Sequence, residues 1–174
     1  MRVKRNIVVR RAPGNPREGH LVLAHGVRRA ALGKSGVAAL KREGDGATPY
    51  GRFPIRQILY RADRMKRPRT QFPIRAIRAD DAWCEDPAHR SYNRLVKISP
   101  RSDADRLMRG DHLYDLILVL GHNDRPRVKG RGSAIFVHLA RPNYAPTAGC
   151  IALKRHDLLM LLAELRRGSA IVVM

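Results

Sequence analysis

The sequence predicts a mainly β fold, a β-rich α+β chain with a sandwich or barrel-like core. Three observations carry this. Short apolar or alternating runs recur throughout, turn-forming Gly and Pro clusters separate them, and only one stretch, near the end, holds a helical period. Val3–Val9, His20–Ala24 and Val27–Leu32 read as short strands, with Ala24-His25-Gly26 offering a tight turn between the last two. Gly33-Lys34-Ser35-Gly36 breaks the pattern, and Gly44–Gly51 is a loop. Arg52–Arg61 alternates, with a switch from Phe53 and Ile55 to Ile58 and Tyr60, which predicts a strand kinked at Pro54. Arg101–Arg109 is a candidate helix capped by Ser102 or Asp103. Leu113–Leu120 and Ser133–Leu139 are nearly continuous in apolar residues and read as buried strands. Arg155–Arg167 is the convincing helix, with Leu158, Leu159, Leu162 and Leu165 assigned to one face, and Ala170–Met174 closes the chain as a strand.

At 174 residues the chain suits one domain, 1–174, and no repeat or linker divides it. The longest apolar runs are too short to span a bilayer, and Met1–Arg10 never reaches the apolar stretch of a signal peptide, so the expectation is a chain without a membrane span or an export signal. Two cysteines argue against a disulfide scaffold. The net charge of +20 excludes an acidic disordered chain and favours an anionic partner. It is unevenly spread: residues 1–78 carry +16, residues 79–115 carry −2 and residues 116–174 carry +6. An acidic middle too short to bury its own core predicts an inserted excursion or lid.

Chemistry concentrates in Gly132–Leu153, GSAIFVHLARPNYAPTAGCIAL. A buried strand delivers His138 at its end, and a loop containing Arg141, Pro142, Asn143, Tyr144 and Pro146 leads to Thr147-Ala148-Gly149-Cys150. Small residues before the cysteine let the backbone turn sharply, so that amide N–H groups near the thiol face a developing oxyanion. Cysteine attacks as thiolate, and a nearby imidazole takes its proton. The bland alternative is a buried cysteine beside a core histidine.

This segment resembles the signature of the L,D-transpeptidase catalytic domain family, in which a His at a strand end is paired with Ser/Thr-x-Gly-Cys. Gly44-Asp45-Gly46-Ala47-Thr48-Pro49-Tyr50-Gly51-Arg52-Phe53 is similar to that family's Thr-Pro-x-Gly-x-Phe loop, and Tyr114–Asn123 resembles the strand before its active-site hairpin. The three matches run in the family's order from about Lys34 onward. The resemblance implies two packed mixed sheets, no cofactor and no metal. It implies acyl transfer on the tetrapeptide stem of peptidoglycan or on muropeptides, through a thioester resolved by an amine or by water. Cys150 matches the nucleophile and His138 the general base, oriented by the carbonyl of Leu139. Gly149 and the N–H of Cys150 fall at the oxyanion hole and Thr147 at the pocket-shaping position; Tyr144 and Arg141, in the loop between His138 and Cys150, are the residues expected to bind substrate. Two positions depart from the common pattern: Ala148 stands for a second His and Ala152 for an Arg or Asn. The His–Cys loop is also shorter. L,D-carboxypeptidase hydrolysis is therefore the alternative reading.

A basic nucleic-acid-binding protein is the alternative from another class, because +20 is the electrostatic footprint of one. With 5% aromatic residues there is no stacking platform, and no helix carries a basic stripe, so no specific nucleic acid is expected. Cys84, His122, Asp124, His138 and Cys150 lack zinc-ligand spacing, and Gly33-Lys34-Ser35-Gly36 lacks the full phosphate-loop pattern. Trp83, Tyr92 and Asn93 either pack or line a cleft, and Asp45 and Thr48 read as loop-stabilising.

Overall fold

Alternating apolar residues can be buried on both faces only where each face has a cover, and the architecture supplies two. The computed structural model describes residues 6–99 and 106–174. Its strands are β1 (Asn6–Ala12), β2 (Asn15–Leu23), β3 (Gly26–Ala31), β4 (Val37–Ala38), β5 (Thr48–Pro49), β6 (Gly51–Tyr60) and β7 (Ile74–Ala76). They continue as β8 (Asp81–Cys84), β9 (Arg94–Lys97), β10 (Leu116–Leu120), β11 (Phe136–Leu139), β12 (Ile151–Leu153) and β13 (Ala170–Val173). Helix α1 (Arg155–Glu164) precedes the last strand. Nine strands form one mixed sheet in the order β10-β11-β12-β3-β2-β1-β13-β6-β7, and β10 also pairs with β6, so the sheet closes on itself. The fold is mainly β with one helix before the last strand, as expected. Its packed sheets are continuous edge to edge, which leaves fewer open strand edges.

The interior is filled by alternate residues from nearly every strand, including Ile7, Val9, Leu21, Ile58, Leu116, Leu118, Val137, Leu139, Ile151, Leu153 and Ile171, together with Leu158, Leu161, Leu162 and Leu165 around α1. A second core lies on the other face of β6, β10 and β11, where Leu59, Ile117, Val119, Phe136 and Cys150 meet Ile77 and Leu107, with Trp83, Leu95, Met108 and Tyr114 packed against them. The excursion between β7 and β10 thus covers the outside of the closed sheet. That explains why β10, Leu-Ile-Leu-Val-Leu, is buried at every position.

Three local expectations change. The irregularity of β6 falls at Arg56, where the register with β10 slips between Val119 and Leu120, and not at Pro54. One extra residue there flips the alternation, which is the switch the sequence shows. The buried side of α1 includes Leu161, while Leu159 is 38% exposed. Of the candidate helix over 101–109, residues 101–105 lie outside the described residues, and Arg106 instead forms a β-bridge to Ala82.

The excursion is tied down by buried carboxylates. Asp81 accepts hydrogen bonds from Arg75 at 2.7 and 3.1 Å and from the Arg78 N–H at 2.8 Å, and pairs with Lys97 at 2.8 Å. Asp115, fully buried at the entry to β10, pairs with Arg64 and Arg155 at 2.8 Å each and with His112 at 2.9 Å. Burial alone would raise the Asp115 pKa, but Arg64, His112 and Arg155 together hold it below the ordinary carboxylate value. A carboxyl whose pKa is depressed on folding contributes stability above its unfolded pKa and loses it as the pH falls through the folded value. Asp115→Asn is therefore expected to lower the unfolding free energy at pH 7 by about 2 kcal/mol. The loss of stability on acidification below about pH 4 should also become shallower, measured by urea denaturation across pH.

Candidate active site

β11 and β12 pair in parallel, with Val137 beside Ile151, His138 beside Ala152 and Leu139 beside Leu153. Period-two alternation sends Val137, Leu139, Ile151 and Leu153 into the interior. Phe136, His138, Cys150 and Ala152 are left on the opposite face. His138, Cys150 and Ala152 line one cleft of about 440 Å³, beneath the excursion. Cys150, just before β12, thus lies on the same cleft face as His138 of β11, two residues before its register partner Ala152.

Cys150 leaves a turn whose backbone is held on both sides. The Thr147 N–H donates to Leu32 O at 2.9 Å, and the Lys34 N–H donates to Thr147 O at 2.9 Å. The Thr147 hydroxyl accepts from the Gly149 N–H at 3.1 Å and donates to Cys150 O at 2.7 Å. Thr48 reaches the same carbonyl at 3.4 Å while accepting from the Gly33 N–H at 2.8 Å. Gly149 has φ +138°, and a Cβ there would stand 2.8 Å from Ala47 O. Only glycine lets the loop before β6 pack directly under the cysteine. Asp45 shapes that loop by accepting from the N–H groups of Arg42 at 2.7 Å and Ala47 at 2.9 Å and by pairing with buried Lys41. This is the loop-stabilising part expected of Asp45 and Thr48.

His138 is 6% exposed, and its Nδ1 lies 2.8 Å from its neighbour's carbonyl, Leu139 O. A carbonyl oxygen only accepts, so Nδ1 carries the proton and Nε2 is the bare nitrogen. Tyr114 packs edge-on against the ring at 5.4 Å. Burial pushes the imidazole down to about 4, with Arg109 and Arg141 acting the same way against the opposing hydrogen bond from Leu139. Burial pushes the Cys150 thiol up to about 12, partly offset by the Phe136 N–H, which donates to Sγ at 3.4 Å. At rest both groups are neutral, and the thiol donates to Ala134 O at 3.1 Å.

Of the two N–H groups expected at an oxyanion hole, that of Gly149 is engaged by the Thr147 hydroxyl at 3.1 Å. Arg141 and Thr147 line the cleft. Tyr144 does not. Its ring lies beside Arg29 at 4.7 Å and Lys154 at 5.7 Å, because φ values of 57° and 54° at Asn143 and Tyr144 turn the loop back over β3 and α1. His122, with Nε2 3.0 Å from Arg131 O, and Cys84 on β8 stand apart from the cleft lining. Among the described residues no group of three or more His, Cys, Asp or Glu could hold a metal ion. Lys34, Lys41, Glu43, Glu85, Arg109 and Tyr114 also line the cleft; Tyr114 opens the strand segment with a family resemblance, and the sequence singles out none of the six as a site residue.

Residues 10–173 match the family model described as YkuD, L,D-transpeptidase catalytic domain. No curated protein matches the chain.

Gly149→Ala is expected to destabilise the fold by about 1–3 kcal/mol through its backbone conformation and the contact with Ala47 O. Exposed Ala148→Ser should stay within about 0.5 kcal/mol. Thermal and denaturant unfolding of the two variants side by side checks the pair.

Proposed function

The chain belongs to the L,D-transpeptidase catalytic domain family, enzymes that act on peptidoglycan peptides, and from that premise we propose that it transfers the acyl group of a tetrapeptide stem through a thioester on Cys150. The observation that carries this reading is the shared cleft face of Cys150 and His138 on parallel strands. As the donor carbonyl enters, Nε2 of His138 takes the thiol proton and Sγ attacks the carbonyl carbon of the third residue. The Cys150 N–H faces the resulting oxyanion. Collapse of the tetrahedral adduct breaks the peptide bond, and the imidazolium returns its proton to the departing terminal D-amino acid. An amine or a water, deprotonated by the same imidazole, then attacks the thioester and frees the thiol.

The charge of the cleft fits a carboxylate-bearing peptide. Lys34, Lys41, Arg109 and Arg141 stand against Glu43 and Glu85. Hydrolysis, the L,D-carboxypeptidase reading, has a specific observation in its favour. Ala152 lies directly beside His138, and Ala148 is exposed, so neither supplies a polar side chain to hold an acceptor stem.

Purified tetrapeptide is the test substrate. Wild type and Cys84→Ala should release the terminal D-amino acid, and Cys150→Ala should release none; turnover by folded Cys150→Ala overturns the assignment. Dimer or exchange of an added D-amino acid identifies transfer, and tripeptide alone identifies hydrolysis. His138→Ala should slow acylation by about a hundredfold or more. A base that is neutral above about pH 4 and a thiol that stays protonated up to about pH 12 predict an acylation rate level from about pH 5 to 9. The rate should fall only as His138 protonates toward about pH 4. A bell centred near neutrality, in stopped-flow acylation, would indicate a standing thiolate–imidazolium pair instead. Exposed Arg141→Ala should raise KM for the tetrapeptide about tenfold with little change in kcat, the scale of one charge-assisted hydrogen bond.

A further inference from the structure

Besides its packing in the second core, the thiol of Cys150 is linked to the excursion by hydrogen bonds that run through Ala134. The Ala134 carbonyl accepts the thiol hydrogen at 3.1 Å, and the residue holds φ +51°, a conformation an alanine rarely adopts. What fixes it there is Asn93, whose Oδ1 accepts the Ala134 N–H at 3.2 Å and the Trp83 Nε1–H at 3.0 Å. Nδ2 of the same side chain donates to His122 O at 2.9 Å and Asn123 O at 2.8 Å. Asn93 is 4% exposed, so all of its side-chain hydrogen bonds are made inside the protein. Its backbone is used as well: its N–H donates to Cys84 O at 2.7 Å, and its carbonyl accepts from Arg127 Nε at 3.1 Å. One side chain thus pins β8, the loop after β10 and the residue facing the nucleophile to one another.

We propose that Asn93 is a positioning residue for the nucleophile, setting the resting state of Cys150 by holding the Ala134 carbonyl where it accepts the thiol proton. A thiol donating to a carbonyl is stabilised in its protonated form, since a thiolate in that place would face the same oxygen lone pairs. The resting enzyme therefore carries a capped, poorly reactive thiol. Turning Sγ from Ala134 toward the entering acyl carbon and the imidazole accompanies donor binding. The donor part of this statement rests on the function proposed above; the resting state of the thiol does not.

Asn93→Gly tests it, because glycine accepts the φ of +54° at this position while removing every side-chain link. Iodoacetamide labelling is followed across pH by mass spectrometry of the peptide containing Cys150, together with thermal unfolding and acylation by tetrapeptide. In a cooperatively folded Asn93→Gly, labelling of Cys150 at pH 8 should rise about tenfold, the scale of one neutral hydrogen bond, while acylation slows. Trp83→Phe removes the other donor to Oδ1 but leaves the Ala134 link, and its labelling profile should match wild type. A folded Asn93→Gly whose labelling profile superimposes on wild type overturns the proposal. Should that variant not fold, Asn93→Asp tests the same link, since it tolerates the left-handed backbone and keeps an oxygen for the Ala134 N–H while losing the two amide donors; labelling no faster than wild type supports the proposal, and faster labelling of the folded variant overturns it. Labelling needs no donor, so a wild-type protein that no tetrapeptide acylates would refute the function and leave this inference to stand or fall separately.

Discussion

The parallel pairing of β11 with β12 is the constraint on which the site depends. A slip of one residue in that register would turn either Cys150 or His138 into the interior, because successive side chains of a strand point to opposite faces. The fold protects the register at the end where it matters. Thr147 is bonded through its backbone to Leu32 and Lys34, its hydroxyl and that of Thr48 both reach Cys150 O, and Gly149 lets Ala47 close beneath. The Thr147 hydroxyl acts within its own loop, but the other contacts join segments distant in sequence, so Cys150 is placed by the closed sheet as well as by the loop that precedes it.

Burial then decides the chemistry of the pair. A thiol and an imidazole exposed to water would titrate about two units apart, near neutrality. Under the excursion both charged forms are disfavoured, the thiol being pushed to about 12 and the imidazole to about 4. In the mechanism proposed above, that leaves a proton acceptor free above about pH 4 and a nucleophile that is uncharged until it is used. Lys34, Lys41, Arg109 and Arg141 outnumber Glu43 and Glu85 on the cleft lining, a balance that suits the carboxylate-bearing peptide proposed above.

Much of this was legible in the sequence because the determinants are local. A strand ending in His138, and small residues before Cys150, follow from neighbours along the chain, and the covering excursion follows from a shift in charge over a stretch too short to bury its own core. The unread parts depend on contacts across the fold. The flip in alternation within β6 marks an irregularity, but only pairing with β10 locates it at Arg56. Tyr144 sits in a loop suited to meeting substrate, yet its ring is drawn away by Arg29 and Lys154, which arrive from β3 and the start of α1. Nothing along the chain links Asn93 to Ala134. Their left-handed backbones and the hydrogen bond between them exist only once the excursion has folded over the sheet.

The most direct test of the account is the mass of the protein after brief exposure to a tetrapeptide donor at neutral pH, with the modified peptide mapped. The account predicts an adduct equal to the tripeptide acyl group, carried by Cys150 and absent from Cys84, that disappears in Cys150→Ala. An adduct on Cys84, or release of the terminal D-amino acid by a folded Cys150→Ala protein, would contradict it.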